Sequence, residues 1–368
     1  MRVPATIRNP SGGGANPLRP SRVMIVDDSI IARTVLSRMV ESEGDITVAA
    51  VAATAEQAID ALKTVRVDAI LLDLDMPGMG GLEALPKIIK AARGACVLVV
   101  SSLTVDGAEQ TLAALALGAA DTLPKPISRS INDSYTTVLL EKIRGLGRGR
   151  SRSLPAAIPT GPLTPPCPRP VSKMRPGILA IGASTGGIHA LGILFRALPR
   201  DLGIPILVTQ HLPISFMSVF ARQLSAAADC EAVVAEDDMK LLPSRILIAP
   251  GDAHLTIKKQ AGQAIVRLDR TPAVSGCMPS VDPMFVSVAD SFGENALGIV
   301  LSGMGRDGAD GAARMVAAGG LILAQDEASC AVWGMPRAIA EANLASDLLP
   351  PDQIASRIAA SVSDSKCK

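Results

Sequence analysis

A serine, a histidine and an aspartate spread over 124 residues have the types and positions that acyl transfer requires, beginning with Ser184 in Gly182-Ala183-Ser184-Thr185-Gly186. That G-x-S-x-G spacing closes the apolar run G-I-L-A-I and opens a helical pattern over 188–198, so the hydroxyl should stand on a sharp turn between a buried strand and a helix. The N–H groups of Thr185, Gly186 and Gly187 at the helix start are then expected to face an oxyanion. A serine needs a base, and the chain has three histidines, His189, His211 and His254. His211 ends the next strand pattern in Q-H-L-P, on the same carboxyl edge as Ser184. His189 lies about 140° round the helix from Ser184 and points elsewhere. His254 falls in a hairpin pattern, where it could line the site without being the base. An acid to orient the imidazole is expected at a third strand end, and L-S-G-M-G-R-D-G supplies Asp307, with Asp310 as its competitor.

The first half of the chain carries a different chemistry. Apolar strand patterns end in Asp27-Asp28, in Asp73-Leu74-Asp75, in Ser101-Ser102 and in Lys125-Pro126. Carboxylates gathered from several strand ends repel one another, and a hard divalent cation with oxygen ligands, most naturally Mg2+ retaining some water, relieves that repulsion. Such a cation would also neutralise a phosphoryl group on one carboxylate, with Lys125 and the Ser101 hydroxyl holding its other oxygens.

The elements that must position these residues are strands alternating with helices. In the first half, strand patterns near 23–28, 46–53, 68–75, 96–102 and 120–125 alternate with amphipathic helical ones, exemplified by Ile30, Val35, Leu36, Met39 and Val40. In the second half, strands are expected near 178–184, 204–211, 245–249, 296–302 and 321–325. Helices there include 215–227, 307–318 and a last one from Asp352 with Ile354, Ile358 and Val362 on one face; residues 249–269 read as a β-hairpin beside the sheet. Both halves therefore read as doubly wound α/β domains with parallel sheets and sites at the carboxyl ends of the strands.

Composition supports two domains and narrows their company. A chain of 368 residues suits two cores. A net charge of +1 and only 2% aromatic residues argue against nucleic acid or an anionic membrane surface as partner. No apolar run reaches about 18 residues, so no span or membrane insertion is expected, and the Gly-, Pro- and Arg-rich first 20 residues read as a disordered leader without a signal-peptide core. The six cysteines, Cys96, Cys167, Cys230, Cys277, Cys330 and Cys367, form no C-x-x-C pair and are expected to be reduced thiols in a cytoplasmic protein. Between the two halves the chain becomes rich in Pro and in Lys or Arg, with no Asp or Glu over 144–175, as an extended linker does.

Other glycine-turn chemistries fit poorly. The segment lacks G-x-G-x-x-G and an acid ending the next strand, and no G-K-S or G-K-T is present. The order Ser, acid, His of α/β-hydrolases fails because no histidine follows Asp307.

The motifs V-D-D-S, L-L-D-L-D-M-P-G-M-G-G, V-V-S-S and L-P-K-P, in this order, resemble a response-regulator receiver domain. The resemblance implies a flavodoxin-like fold over residues 21–145, phosphorylation at Asp73, Mg2+ bound by Asp27, Asp28, Asp73 and the backbone carbonyl of Asp75, a switch hydroxyl on Ser101 and a phosphoryl contact from Lys125. Two departures stand out: Met79-Gly80-Gly81 replaces the usual M-D-G, which touches only a loop, and Thr122 replaces a frequent aromatic, which changes what packs at the switch. After a linker over 146–175, the motifs Q-H-L-P, I-A-P-G-D-A-H-L, C-M-P-S-V-D-P-M-F, S-G-M-G-R-D-G-A and A-Q-D-E-A-S-C-A-V-W-G-M-P resemble the catalytic domain of the chemotaxis protein-glutamate methylesterases, the CheB family. This second resemblance implies a Rossmann-like domain over 176–368 with Ser184, His211 and Asp307 as triad and backbone donors near Thr185 and Met304 as oxyanion hole. It further implies glutamate γ-methyl esters of methyl-accepting chemotaxis receptors as substrate, no cofactor for hydrolysis, deamidation of receptor glutamines in some relatives, and a chemotaxis histidine kinase as phosphodonor. A non-enzymatic two-domain regulator acting through partner binding and a small-molecule esterase of broad range are the rival classes.

Overall fold

The computed structural model of the chain describes residues 19–101, 105–125, 133–148, 176–260 and 262–363. The leader over 1–18 and the basic, proline-rich stretch over 149–175 lie outside them, as do Ser102 and Pro126. Five βα units come first. They are β1 (Ser21–Val26), α1 (Ile30–Val40), β2 (Ile46–Ala52), α2 (Ala55–Ala61), β3 (Ala69–Asp73) and α3 (Gly81–Ala91), followed by β4 (Cys96–Ser101), α4 (Val105–Ala116), β5 (Asp121–Pro124) and α5 (Asp133–Arg148). All pairings are parallel, in the order β2-β1-β3-β4-β5. The central β3, A-I-L-L-D, is buried at every position, as a strand covered by helices on both faces must be. The helix α5 runs to Arg148, two residues past the point where the linker is expected to start.

The second half contains β6 (Ile178–Ala183), α6 (Gly187–Ala197), β7 (Ile206–Gln210), α7 (Ile214–Ala228), β8 (Ala232–Val234) and β9 (Ile246–Ile248). Then come β10 (His254–Gln260), β11 (Gln263–Asp269), α8 (Val281–Phe292), β12 (Ala296–Val300) and α9 (Ala309–Ala317). The chain closes with β13 (Leu321–Gln325), α10 (Met335–Glu341), β14 (Asp347–Leu349) and α11 (Pro351–Ser363). Seven strands form one parallel sheet in the order β14-β13-β12-β6-β7-β9-β8, and β10 and β11 make the separate antiparallel hairpin that the alternating pattern implied. The order reverses direction at β6, the strand that delivers Ser184, where β12 pairs on one side and β7 on the other. A crevice forms at such a switch point, outside the carboxyl ends of the strands.

The two halves share one apolar layer. Helix α4 packs against α6 and α7, and Ala108 and Leu112 join the cluster that holds Leu191, Phe216 and Phe220. At the rim, Arg222 pairs with Glu109 at 2.7 Å. No helix among the described residues is long and apolar enough to cross a membrane.

Candidate active site

Ser184 is held by its neighbours at every backbone atom that could loosen it. Its N–H donates to the Ser302 carbonyl at 3.0 Å, and its carbonyl accepts from Gln210 Nε2 at 3.0 Å and from the Gly187 N–H at 2.7 Å. Glycine is needed once in the turn and once in the loop after β12 that packs against it. Gly186 takes φ +77°, a left-handed conformation, and a Cβ on Gly303 would lie 2.9 Å from Ser184 Cβ and 2.3 Å from Met335 Sδ.

His211 follows β7 directly, and because Gln210 is in register with Ala183 the two side chains emerge side by side from adjacent strands. The Ser184 hydroxyl lies 3.0 Å from His211 Nδ1, and His211 Nε2 lies 2.8 Å from Asp307 Oδ2. With Nε2–H donating to the carboxylate, the Nδ1 lone pair is free to accept the hydroxyl proton. Asp307 comes from the loop after β12, on the other side of β6, and Ser280 Oγ–H donates to its Oδ1 at 2.6 Å and the Val281 N–H to its Oδ2 at 2.7 Å. Burial alone would raise the Asp307 pKa, but the bonds from His211, Ser280 and Val281 outweigh it and hold the carboxyl well below the usual range. For His211 burial opposes the charge, while the hydrogen bond to Asp307 and the neighbouring Cys277 sulfur favour it, and the balance pushes the imidazole up to about 9.

The remaining candidates fall elsewhere. His189 sits on α6 with Nδ1 2.9 Å from the Ala116 carbonyl of α4, away from Ser184. Asp310 is exposed and faces Arg306 at 3.7 Å. His254 is fully buried and supports the site from behind: its Nδ1 accepts the Ser280 N–H at 2.8 Å and its Nε2 donates to the Thr271 carbonyl at 2.9 Å. Sequence reasoning missed Ser280, Val281 and Asp282, although C-M-P-S-V-D was in view as a motif. Asp282 accepts the Gly311 N–H, and burial beside the Asp307 charge pushes its pKa up to about 6.

The expectation of three oxyanion donors needs correction. The Gly187 N–H closes the turn onto Ser184, and the Gly186 N–H donates at 2.6 Å to the carbonyl of Ala120, in the other half of the molecule. Among the described residues the Thr185 and Met304 N–H groups have no hydrogen-bond partner. The neighbouring half grips this same turn: Thr185 Oγ1 donates to Asp121 Oδ2 at 2.6 Å, Lys142 Nζ meets that carboxylate at 2.5 Å, and the Met304 side chain lies where a Cβ on Gly145 would stand.

At the carboxyl edge of the first sheet, single carboxylate oxygens of Asp27, Asp28 and Asp73 lie within 4.8 Å of one another. Asp27 and Asp73 are buried, and Asp73 Oδ2 has no hydrogen-bond partner among the described residues. Burial and the Asp73 and Asp28 charges raise the Asp27 pKa against the opposing Ser29 N–H and Lys125. Lys125 Nζ reaches Asp73 Oδ1 at 2.7 Å. The Asp75 carboxylate is half exposed and 3.8 Å from Lys125. Ser101 is buried and its Oγ accepts from Thr111 Oγ1 at 2.7 Å. An orphaned buried oxygen among convergent carboxylates fits a divalent cation with oxygen ligands.

A five-stranded acidic-edged receiver sheet joined to a parallel sheet bearing a hydrogen-bonded Ser–His–Asp line defines a response regulator whose output half is built as a serine hydrolase is. The comparisons with known proteins give the family. Residues 179–358 match the CheB methylesterase family and residues 23–131 the response regulator receiver domain. The protein-glutamate methylesterase/protein-glutamine glutaminase 2 of Caulobacter vibrioides is 44% identical over 342 residues, spanning 92% of this chain and 98% of its own. The enzyme of the same name from the group 2 operon of Bradyrhizobium diazoefficiens is 37% identical over 385 residues, spanning 95% of this chain and 96% of its own. The crystal structure of the Thermotoga maritima CheB methylesterase catalytic domain matches at 33% identity with a TM-score of 0.49, covering 51% of this chain and 99% of that one. The chain belongs to the CheB family of receiver-linked methylesterases.

Proposed function

We propose that this chain is a cytoplasmic, phosphorylation-controlled protein-glutamate methylesterase acting on methyl-accepting chemotaxis receptors. The observation that carries the reading is the line Ser184 Oγ, His211, Asp307, with contacts of 3.0 and 2.8 Å, in a chain that aligns nearly end to end with relatives bearing that name. Ser184 Oγ attacks the γ-ester carbonyl as His211 Nδ1 takes its proton, and the Thr185 and Met304 N–H groups stabilise the oxyanion. The imidazolium, balanced by Asp307, returns the proton to the departing methoxide, and methanol leaves. Water, deprotonated by His211, then attacks the glutamyl-serine ester, the imidazolium returns that proton to the departing Ser184 Oγ, and the glutamate carboxylate is freed. A receptor glutamine would follow the same path with ammonia as leaving group.

Control comes from the receiver half. Asp73 accepts a phosphoryl group from the chemotaxis histidine kinase, with Lys125 and Ser101 contacting its oxygens. Asp27, Asp28, Asp73 and the Asp75 carbonyl would hold Mg2+, which when bound neutralises the added charge. In the closed state, Ala120 binds the Gly186 N–H, two residues past Ser184, and Asp121 binds the Thr185 hydroxyl, one residue past it. Phosphorylation weakens that grip and admits the receptor helix. Release of radiolabelled methanol from methylated receptor, with and without a phosphodonor, tests the reading: release that rises with phosphodonor supports it, and absence of release under both conditions overturns it.

A further inference from the structure

The loop ahead of α8 brings a thiol to the imidazole and carboxylate of the second site. One ligand atom each from His211, Cys277 and Asp307 lies within 4.8 Å of the others. This donor set, one nitrogen, one sulfur and one oxygen, differs in kind from the all-carboxylate cluster of the receiver half and suits a borderline-soft ion. Tetrahedral Zn2+ places its ligand atoms about 3.4–3.6 Å apart, a separation that rotation of the Cys277 side chain and a small opening of the His211–Asp307 contact can supply. The fold fixes the approach. Cys277 N–H donates to Ser275 Oγ at 3.3 Å, Ser275 Oγ lies 3.2 Å from Ser280 Oγ, and Ser280 donates to Asp307, so the loop that carries the sulfur is tied to the carboxylate it would share. His211 keeps 18% of its side chain exposed and Cys277 is half-buried, which leaves the ion a path from solvent.

We propose that His211, Cys277 and Asp307 form a Zn2+ site whose occupation switches off the serine chemistry. The ion displaces the Cys277 thiol proton to solvent and takes a lone pair of His211. Bound at Nδ1, it removes the acceptor for the Ser184 proton; bound at Nε2, it displaces the proton held there to Nδ1, which then can no longer accept from Ser184. Either way the relay is broken. The inhibitory half of this proposal rests on the hydrolase reading, whereas the binding half does not.

The test uses the full chain stripped of metal by chelator. Competition with a chromophoric chelator should find a saturable Zn2+ site that Cys277→Ser and Cys277→Ala weaken at least about 10-fold, the lower end of what loss of an outer-shell partner alone costs, and that Cys230→Ser, a control at another thiol, leaves intact. Cd2+ should give a thiolate-to-metal ultraviolet band lost in both Cys277 variants. Zn2+ should suppress methanol release by the wild type, reversibly with chelator, and each Cys277 variant should need a correspondingly higher Zn2+ concentration relative to its own metal-free rate. Equal Zn2+ binding and equal inhibition in wild type and Cys277→Ser would overturn the site. Cys277-dependent binding in a protein that releases no methanol supports the site and overturns only the hydrolase reading.

Discussion

The carboxyl edges of the two parallel sheets gather polar side chains in opposite ways. In the receiver half, like charges are drawn together: Asp27, Asp28 and Asp73 converge, Asp73 Oδ2 has no partner among the described residues, and Lys125 pairs with Asp73. In the catalytic half, each polar atom of the Ser184, His211 and Asp307 line is answered by another, and Asp307 alone is held by His211, Ser280 and Val281. A site with unbalanced charge changes state when a cation and a phosphoryl group arrive. A site with balanced bonds keeps its geometry while substrate passes through. The fold joins the two through Ala120 and Asp121, which touch the serine turn itself.

The comparison breaks first if the balanced line is not the reacting one. His211→Ala and Asp307→Asn should each lower methanol release about 10^4-fold or more, while His189→Ala, whose side chain meets the Ala116 carbonyl instead, should leave turnover largely intact. A His189→Ala enzyme that fails while His211→Ala works would move the base to the wrong side of the helix. Next in size is the coupling: Asp73→Asn should keep basal turnover and lose an activation of about 10- to 100-fold by phosphodonor, the range that a closed-to-open shift of a few kcal/mol supplies.

The pH profile sharpens the account of charge. The base must be neutral to accept a proton, and the His211 pKa is raised to about 9 in the closed state, so kcat/KM should climb about tenfold per pH unit below that value and level off above it. Asp307→Asn removes the carboxylate that holds the imidazolium and should move this limb toward lower pH. Stability runs the other way: a raised histidine pKa contributes fully below the unfolded value of about 6.5 and is lost as pH rises through about 9. Depressed Asp307 contributes above the unfolded carboxylate range and loses its share as pH falls through its low folded value, which acid unfolding of Asp307→Asn against wild type would register. The smallest effect expected is at the grip on the turn. Asp121→Ala removes the 2.6 Å bond from Thr185, worth about 1 kcal/mol, and should raise basal methanol release about fivefold without phosphodonor.

Strand-tip chemistry was legible in the sequence because a parallel sheet puts every strand's last residues on one edge. Ser184, His211 and the loop with Asp307 could be placed there from apolar runs alone, and β13 has the expected bounds, Leu321–Gln325. What the sequence hid depends on contacts between distant segments. Ser280 and Val281 reach Asp307 from 27 and 26 residues away, and His254 reaches Ser280 from 26 residues away through a buried ring, none of which has a periodicity to betray it. The Gly186 N–H looked free because its acceptor, Ala120, belongs to the other half of the chain. Edge strands β8 and β14 have three residues each, too short to show an alternation.

The most direct measurement is methanol release from methylated receptor by Ser184→Ala beside the wild type, both with phosphodonor. Hydrolysis through a glutamyl-serine ester requires the hydroxyl, so the variant should fall to the rate of receptor alone while still accepting phosphate at Asp73. Turnover by Ser184→Ala at the wild-type rate would contradict the account and leave the Ser–His–Asp line without a role in the reaction.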